Sequence, residues 1–120
     1  MKNLCGYEDL LVYKYSYAAV IEVYRETEGF PRDEIYGIRN QIRRSAVSVS
    51  LNIAEGYAKG SGKAELKRYL EISRGSCAEV KVLCCMCRDL AYMPQEKAAV
   101  FINEYDKIGR MLTNLIKTLT

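Results

Sequence analysis

The chain has 120 residues, of which 49% are apolar and 28% are charged, a composition typical of one globular domain with a single core. Its 18 lysines and arginines outnumber its 15 acidic residues, and this mild positive charge permits an anionic partner without requiring one. Histidine is absent, so the commonest general base and metal ligand are missing; we therefore expect no catalytic residues, no metal site and no cofactor.

The N-terminus gives no sign of export, because MKNLCGYEDL carries acidic residues where a signal peptide needs an apolar segment. No run of 18 apolar residues is present, which argues against a membrane partner. Five cysteines without a secretory signal indicate free thiols in a reducing compartment. We therefore expect a cytoplasmic protein.

Apolar residues recur at steps of three and four along almost the whole chain, which predicts helices and no strands. We predict four helices, over residues 7–28, 33–59, 63–92 and 95–119, within one domain of residues 1–120. The helices are separated by Gly29-Phe30-Pro31, Gly60-Ser61-Gly62 and Met93-Pro94. Because these connections are short, the predicted fold class is all-α, an antiparallel up-down-up-down four-helix bundle.

Each helix offers an apolar stripe to the core. In the first helix the predicted stripe is Leu10, Tyr13, Tyr17, Val20 or Ile21, and Tyr24. In the second it is Ile35, Ile38, Ile42, Ala46, Val49 and Ile53. In the third it is Leu66, Leu70, Ser73, Cys77, Val80, Cys84, Cys87 and Ala91. In the fourth it is Ala98, Phe101, Tyr105, Ile108, Leu112, Leu115 and Leu119.

The second and third helices carry more apolar surface than one buried face requires. Their additional stripes are Val47, Leu51, Ala54 and Ala58 in the second helix, and Tyr69, Ile72, Leu83, Met86 and Leu90 in the third. Wide burial inside the monomer and a subunit interface both explain the excess. We favour self-association, because long exposed apolar patches are otherwise a liability.

Small and polar residues line the predicted contact between the second and third helices. If the turn is centred on Ser61, antiparallel partners have residue numbers that sum to about 122. A glycine inside a helix costs about 1 kcal/mol relative to alanine, so Gly56 and Gly75 indicate a close approach of the two helices. The residues assigned to packing and assembly are Asn52, Glu55, Gly56, Gly75, Ser76 and Glu79, with Glu79 paired to Arg43 or Arg44.

Three possible chemical sites have simpler explanations. The string GYAKGSGKA has five residues between Gly56 and Gly62, where a phosphate-binding loop has four, and Ala64 replaces the magnesium-binding hydroxyl. The cysteines of the third helix share its core stripe, so we interpret them as core packing, with a metal or redox role as the alternative. Glu55 and Glu79 are better explained by ion pairs than by catalysis.

Basic residues are the strongest functional candidates, because several of them lie at helical spacing. The candidate nucleic-acid-binding residues form three rows, with Arg44 as a further candidate. The first row is Arg39 and Arg43 on the second helix, the second is Lys59, Lys63 and Lys67 around the turn before the third helix, and the third is Lys107, Arg110 and Lys117 on the fourth helix. If subunits assembled in a ring, these rows would be multiplied into an extended surface that attracts phosphates. The alternative for each residue is an ordinary solvated surface position.

The run FPRDEIYGIRNQIRRSAVSVSLNIAEGYAKG, followed by RYLEISRGSCAEV, resembles a bacterial four-helix-bundle family. That family includes proteins encoded by intervening sequences in large-subunit ribosomal RNA genes. It is related to the accessory variability determinants of diversity-generating retroelements. The resemblance is carried mainly by the Asn52–Gly56 block and by Gly75-Ser76 with Glu79, and it covers residues 7–119.

The resemblance implies a homopentameric, barrel-like ring with a basic surface. Retroelement relatives bind a reverse transcriptase and nucleic acid and are not enzymes. The leading hypothesis is therefore a non-enzymatic homo-oligomer that binds ribosomal RNA, another nucleic acid or a nucleoprotein such as a reverse transcriptase complex. The alternative is an assembly adaptor that contacts only proteins.

Overall fold

The computed structural model describes residues 7–119, apart from the side chain of Asp9. Four α-helices make up most of this part of the chain, and none of its residues forms a strand. The helices are α1 (Leu11–Thr27), α2 (Ile38–Lys59), α3 (Lys63–Asp89) and α4 (Gln95–Lys117). Short 3-10 turns at Tyr7–Asp9 and Arg32–Glu34 precede α1 and α2.

Each helix packs antiparallel to the next, and α4 returns to contact α1. The bundle measures 43 × 28 × 23 Å. The predicted all-α, four-helix fold is therefore confirmed. No helix within residues 7–119 combines the length and the apolar character needed to cross a bilayer.

The start of α2 differs from the prediction, because the helix begins at Ile38 rather than near Asp33. The backbone N–H of Ile38 donates to Glu34 Oε1 at 3.1 Å, and the Tyr92 hydroxyl donates to Glu34 Oε2 at 2.9 Å. Glu34 therefore caps α2 from the preceding turn. A Cβ on Gly37 would crowd the Glu34 carboxylate in this position, so a larger residue there would displace the cap.

The predicted core stripe of α1 is only partly correct. Leu10, Tyr13 and Val20 pack against the core while partly buried, but the most buried side of the helix lies one residue away. The buried residues are Val12, Ser16, Ala19, Val23 and Thr27. Tyr17 and Tyr24 are instead 55% and 41% exposed. Small side chains fit where α1 lies against α2, and the tyrosine rings remain at the edge of the contact. The stripe of α4 is as predicted except at its end, where Ile116 is buried and Leu115 only partly so.

Serine side chains connect α2 to α3 in the predicted register. The Ser73 hydroxyl donates to the carbonyl oxygen of Val49 at 2.8 Å, and the Ser48 and Ser76 hydroxyls are 2.8 Å apart. The paired residue numbers sum to 122 and 124. Both bonds satisfy polar groups in a contact too close for larger apolar side chains.

Gly56 and Gly75 have different surroundings. A Cβ on Gly56 would lie 3.0 Å from both Leu66 Cδ1 and Tyr69 Cβ, so the predicted close approach is present there. Gly75 is exposed, and a Cβ added to it would meet nothing within 4 Å. The prediction of a close contact at Gly75 within the monomer is therefore wrong.

The additional apolar stripes of α2 and α3 mostly point outward. Leu51 is 53% exposed and Met86 is 49% exposed, and Ile72 and Leu90 are exposed as well. Leu83 is the buried member of the α3 stripe. Wide burial inside the monomer therefore does not explain these residues.

Substituting alanine for the two glycines should separate their roles. Gly75→Ala should stabilise the protein by up to about 1 kcal/mol, because alanine is the better helix former and the new Cβ meets no atom. At Gly56 the same gain in helix propensity is opposed by overpacking, which costs about 1–3 kcal/mol. Gly56→Ala should therefore leave the free energy of unfolding unchanged or lower it. Urea unfolding at equal protein concentrations measures both, and equal effects would contradict a close contact at Gly56.

Candidate nucleic-acid and assembly surfaces

Arg43 holds α1 against α2 and is not free to bind a phosphate. Its Nε donates to Thr27 Oγ1 at 2.8 Å, and an Nη atom donates to the Tyr24 carbonyl oxygen at 3.0 Å. The guanidinium also lies 4.3 Å from the centroid of the Tyr24 ring. Because that carbonyl belongs to the last turn of α1, Arg43 caps the negative end of the helix.

Arg39 also connects α2 to the end of α1. Its guanidinium lies 3.5 Å from Glu28 Oε1, which is also 3.4 Å from Arg43. Only 16% of the Arg39 side chain and 17% of the Arg43 side chain are exposed. The first predicted basic row is therefore mainly a connection between helices.

Two members of the row on α4 are also paired. Lys107 Nζ lies 3.9 Å from the centroid of the Tyr15 ring and 3.2 Å from Glu104. Arg110 pairs with Asp106, which also accepts a hydrogen bond from Lys81 at 3.2 Å. That bond from Lys81, together with the charge of Arg110, lowers the pKa of the Asp106 carboxyl. Lys117 is exposed in the last turn of α4.

Lys59, Lys63 and Lys67, which we call the turn lysines, surround the connection between α2 and α3. Within residues 7–119, Asp9 aside, no carboxylate lies within 4.0 Å of their ammonium groups. The nearby Glu65 carboxyl is engaged by Arg68 at 3.0 Å, and this hydrogen bond lowers its pKa. Of the predicted basic rows, the turn lysines are therefore the one whose positive charges are least engaged by carboxylates and most available to a partner.

Arg44 lies between two open grooves on the outer side of α2. One groove, of about 660 Å³, is lined by Gln41, Arg44, Ser45, Ser48, Ala78, Glu79, Val82 and Leu83. The other, of about 360 Å³, is lined by Tyr24, Arg44, Val47, Ser48, Leu51, Asn52 and Glu55. Arg44 is exposed and makes no ion pair with any side chain that the structure describes.

Ser45, Ser48, Asn52 and Glu55 form a row of polar residues along α2. Hydrogen bonds within α2 and between α2 and α3 hold most of this row in place. Asn52 Nδ2 donates to the Ser48 carbonyl at 2.9 Å and to the Ser48 hydroxyl at 3.1 Å. Glu79 accepts a hydrogen bond from the Ser45 hydroxyl at 3.2 Å. The predicted pairing of Glu79 with Arg43 or Arg44 is therefore wrong, because Arg43 is turned toward α1. Glu55 lies exposed on the same row.

Three of the four cysteines of α3 are packed in the core, and Cys85 is half-buried beside them. Cys77, Cys84 and Cys87 are buried, and burial raises their pKa values to about 12, 12 and 11. Metal ligation and nucleophilic attack both need the thiolate, which this environment disfavours. Cys84 and Cys87 have C-x-x-C spacing, yet in the described residues no group of three or more metal-binding side chains converges.

The sequence places Tyr17 and Tyr24 on a core stripe, which argues against a base-stacking role, whereas both residues are exposed in the structure. Tyr7, Tyr13 and Tyr17 form a row, with ring centroids 5.0 Å and 6.0 Å apart in succession. A signal was present in the sequence, because Ser16, Ala19, Val23 and Thr27 also recur at steps of three and four. The large aromatic side chains of Tyr13, Tyr17 and Tyr24 favoured the prediction that their side of α1, and not the side with the small residues, faces the core.

Comparisons with known proteins agree with this architecture. A family model described as 23S rRNA-intervening sequence protein matches residues 8–114. A crystal structure of a protein of unknown function from the S23 ribosomal protein family of Bacteroides thetaiotaomicron aligns with a TM-score of 0.79. The alignment has 20% identity and covers 89% of this chain and 99% of the other, so it shows a shared fold. No curated protein matches the chain.

The adjacent arginines provide a matched test of their different roles. Arg43→Lys should destabilise the protein by about 1.5–3 kcal/mol, because lysine cannot reproduce the forked hydrogen bonds to α1. Arg44→Lys should change the free energy of unfolding by no more than about 0.5 kcal/mol, because Arg44 is exposed and makes no ion pair with any described side chain. Urea unfolding checks both, and equal losses would argue against an Arg43 cap.

Proposed function

Because the chain belongs to the 23S rRNA-intervening sequence protein family, we propose that it is a non-enzymatic, homo-oligomeric protein that binds nucleic acid or a nucleoprotein. The observation that carries this proposal is the set of turn lysines, which lack acidic partners while most other predicted basic residues have them. Ribosomal RNA is the first nucleic acid to test, given the family name and the ribosomal name of the structural relative. The proposed setting is the cytoplasm.

Attraction of a polyanion depends on where the positive charges lie as well as on how many there are. Net charge is only +3, which by itself supports a weak interaction. The turn lysines concentrate ammonium groups at one end of the bundle, where phosphates could approach without displacing an ion pair. Repetition of this end in an oligomer would bring several such clusters to one polyanion and strengthen binding by avidity.

Self-association is supported by two exposed apolar surfaces. The α1–α2 face consists of the exposed residues Ile21, Tyr24 and Leu51, with the half-buried Val47 between them. The α3 face consists of Ile72, Val82, Met86 and Leu90. If these two different surfaces meet between neighbouring copies, the interface is heterologous. Such an interface produces a closed ring when the rotation from one copy to the next divides a full turn evenly. The family resemblance implies five copies.

A protein adaptor is the second candidate. It is favoured by the position of Arg44, which lies unpaired between two grooves and near Leu51 and Tyr24. Arginine and tyrosine are enriched at the centres of protein interfaces. This alternative would leave the turn lysines as solvated surface residues.

Assembly can be tested by introducing a charge on either face. The wild type should have a mass several times the 13.7 kDa of one chain, whereas Leu51→Asp and Met86→Asp should each give folded monomers. Light scattering coupled to size-exclusion chromatography measures the mass, and circular dichroism checks the fold. A monomeric wild type at the concentrations tested would contradict self-association.

Mixing the two variants tests whether the interface is heterologous. The Leu51→Asp chain keeps an intact α3 face, and the Met86→Asp chain keeps an intact α1–α2 face. A heterologous interface predicts that the mixture forms a dimer, although neither variant assembles alone. Failure to form this dimer would favour an interface in which each face meets a copy of itself.

Nucleic-acid binding should depend on the turn lysines. For a labelled fragment of large-subunit ribosomal RNA, replacing all three lysines with glutamine should weaken binding at least about tenfold near 50 mM salt. It should also reduce the slope of log affinity against log salt by about 2–3 per bound subunit, because fewer counterions are released. Fluorescence anisotropy across a salt series measures both quantities.

A matched control removes the same charge from the other end of the bundle. Arg25, Arg32 and Lys97 are exposed there, and their replacement by glutamine should leave most of the affinity intact. If both triple variants lost affinity equally, net charge alone would account for binding. Wild-type protein that bound no RNA near 50 mM salt would leave the adaptor function as the better explanation.

A further inference from the structure

The tyrosine row of Tyr7, Tyr13 and Tyr17 begins near the turn lysines. The 3-10 turn that contains Tyr7 contacts α2. Because α1 and α2 are antiparallel, with Ser16 bonded to Ser50, this contact lies toward the C-terminal end of α2. The row therefore starts at the end of the bundle that carries the turn lysines and runs toward the middle of the bundle, where Tyr17 lies at the level of Ser50.

Tyr17 provides an accessible ring in this row. More than half of the residue is exposed, and its ring lies 6.0 Å from that of Tyr13 at an interplanar angle of 46°. Tyr13 is partly buried and packs edge-on against Tyr7, with a 5.0 Å separation between centroids. The inner two rings thus support the outer one on α1.

The charges near the row suit an anionic partner. Lys14 is exposed in the turn of α1 that contains Tyr13 and Tyr17, and it has no ion pair with any described side chain. Burial, followed by Tyr7, Tyr17 and Glu8, raises the pKa of Tyr13. The Tyr13 ring therefore stays neutral at physiological pH. Glu8 is an acidic neighbour of Tyr13, and Lys14 adds a positive charge to the same stretch of the chain.

We infer that the preferred ligand is single-stranded RNA, whose phosphates contact the turn lysines and Lys14 while an unpaired base stacks on Tyr17. In a duplex, both faces of each base are covered by neighbouring bases, so an exposed tyrosine has nothing to stack on. In a single strand the base faces are accessible, and aromatic stacking adds to the electrostatic attraction. This inference rests on the nucleic-acid binding proposed above.

The experiment compares a labelled single-stranded oligouridine of about 20 nucleotides with an RNA duplex of equal phosphate number. Wild-type protein should bind the single strand roughly tenfold more tightly than the duplex at the same salt concentration. Tyr17→Leu should lose this preference without changing the salt slope, because the phosphate contacts remain. Tyr17→Phe, which retains the ring, should restore it.

Assembly is measured for the same variants, because Tyr17 adjoins the α1–α2 face. Leucine preserves an apolar surface, so Tyr17→Leu should keep the wild-type mass. Equal affinity for both RNAs, or an unchanged preference in Tyr17→Leu, would overturn the inference while leaving nucleic-acid binding intact. A Tyr17→Leu variant that lost its oligomeric mass would identify the row as a protein contact and overturn it as well. Absence of binding to either RNA would overturn both proposals.

Discussion

The close approach of α2 and α3 is the constraint on which the rest of the bundle depends. At Gly56 the backbone of α2 lies so near α3 that a Cβ would lie 3.0 Å from Tyr69 Cβ. The bond from Ser73 to the Val49 carbonyl holds the same contact toward the middle of the helices. A contact built from such small groups directs the larger apolar side chains of both helices to other faces. It thereby leaves apolar surface open to further packing.

The contact between α1 and α2 depends instead on hydrogen bonds between buried polar side chains. Its buried polar groups are paired, with Ser50 bonded to Ser16 and Thr27 bonded to Arg43. Hydrogen bonds that involve a charged group contribute about 1.5–3 kcal/mol, and leaving one member unpaired in the core would be costly. An arginine in this setting is part of the packing. The position of a basic residue in the sequence therefore says little about its availability until its neighbours are known.

The sequence predicted the helices, their antiparallel order and the α2–α3 register, because helical periodicity and short connections constrain these features strongly. It failed on the buried face of α1, where Ser16 and Thr27 are buried through hydrogen bonds with α2 that periodicity does not reveal. It also misplaced the start of α2, which depends on the side chain of Glu34 reaching Ile38. The candidate basic residues were identified, but separating Arg43 from Lys63 required knowledge of which carboxylates and carbonyls lie beside each one.

The turn lysines also affect how the molecule approaches a polyanion. They lie at one tip of an elongated bundle. At the other tip Arg25 and Arg88 pair with Glu22 and Asp89, and the exposed Arg32 and Lys97 are adjacent in sequence to the exposed acids Asp33 and Glu96. An off-centre charge experiences a torque in the field of a phosphate chain, so the protein tends to rotate tip-first before contact. This orientation would leave the sides of the bundle uncovered during the encounter. Docking to a polyanion and joining other copies could then proceed in either order.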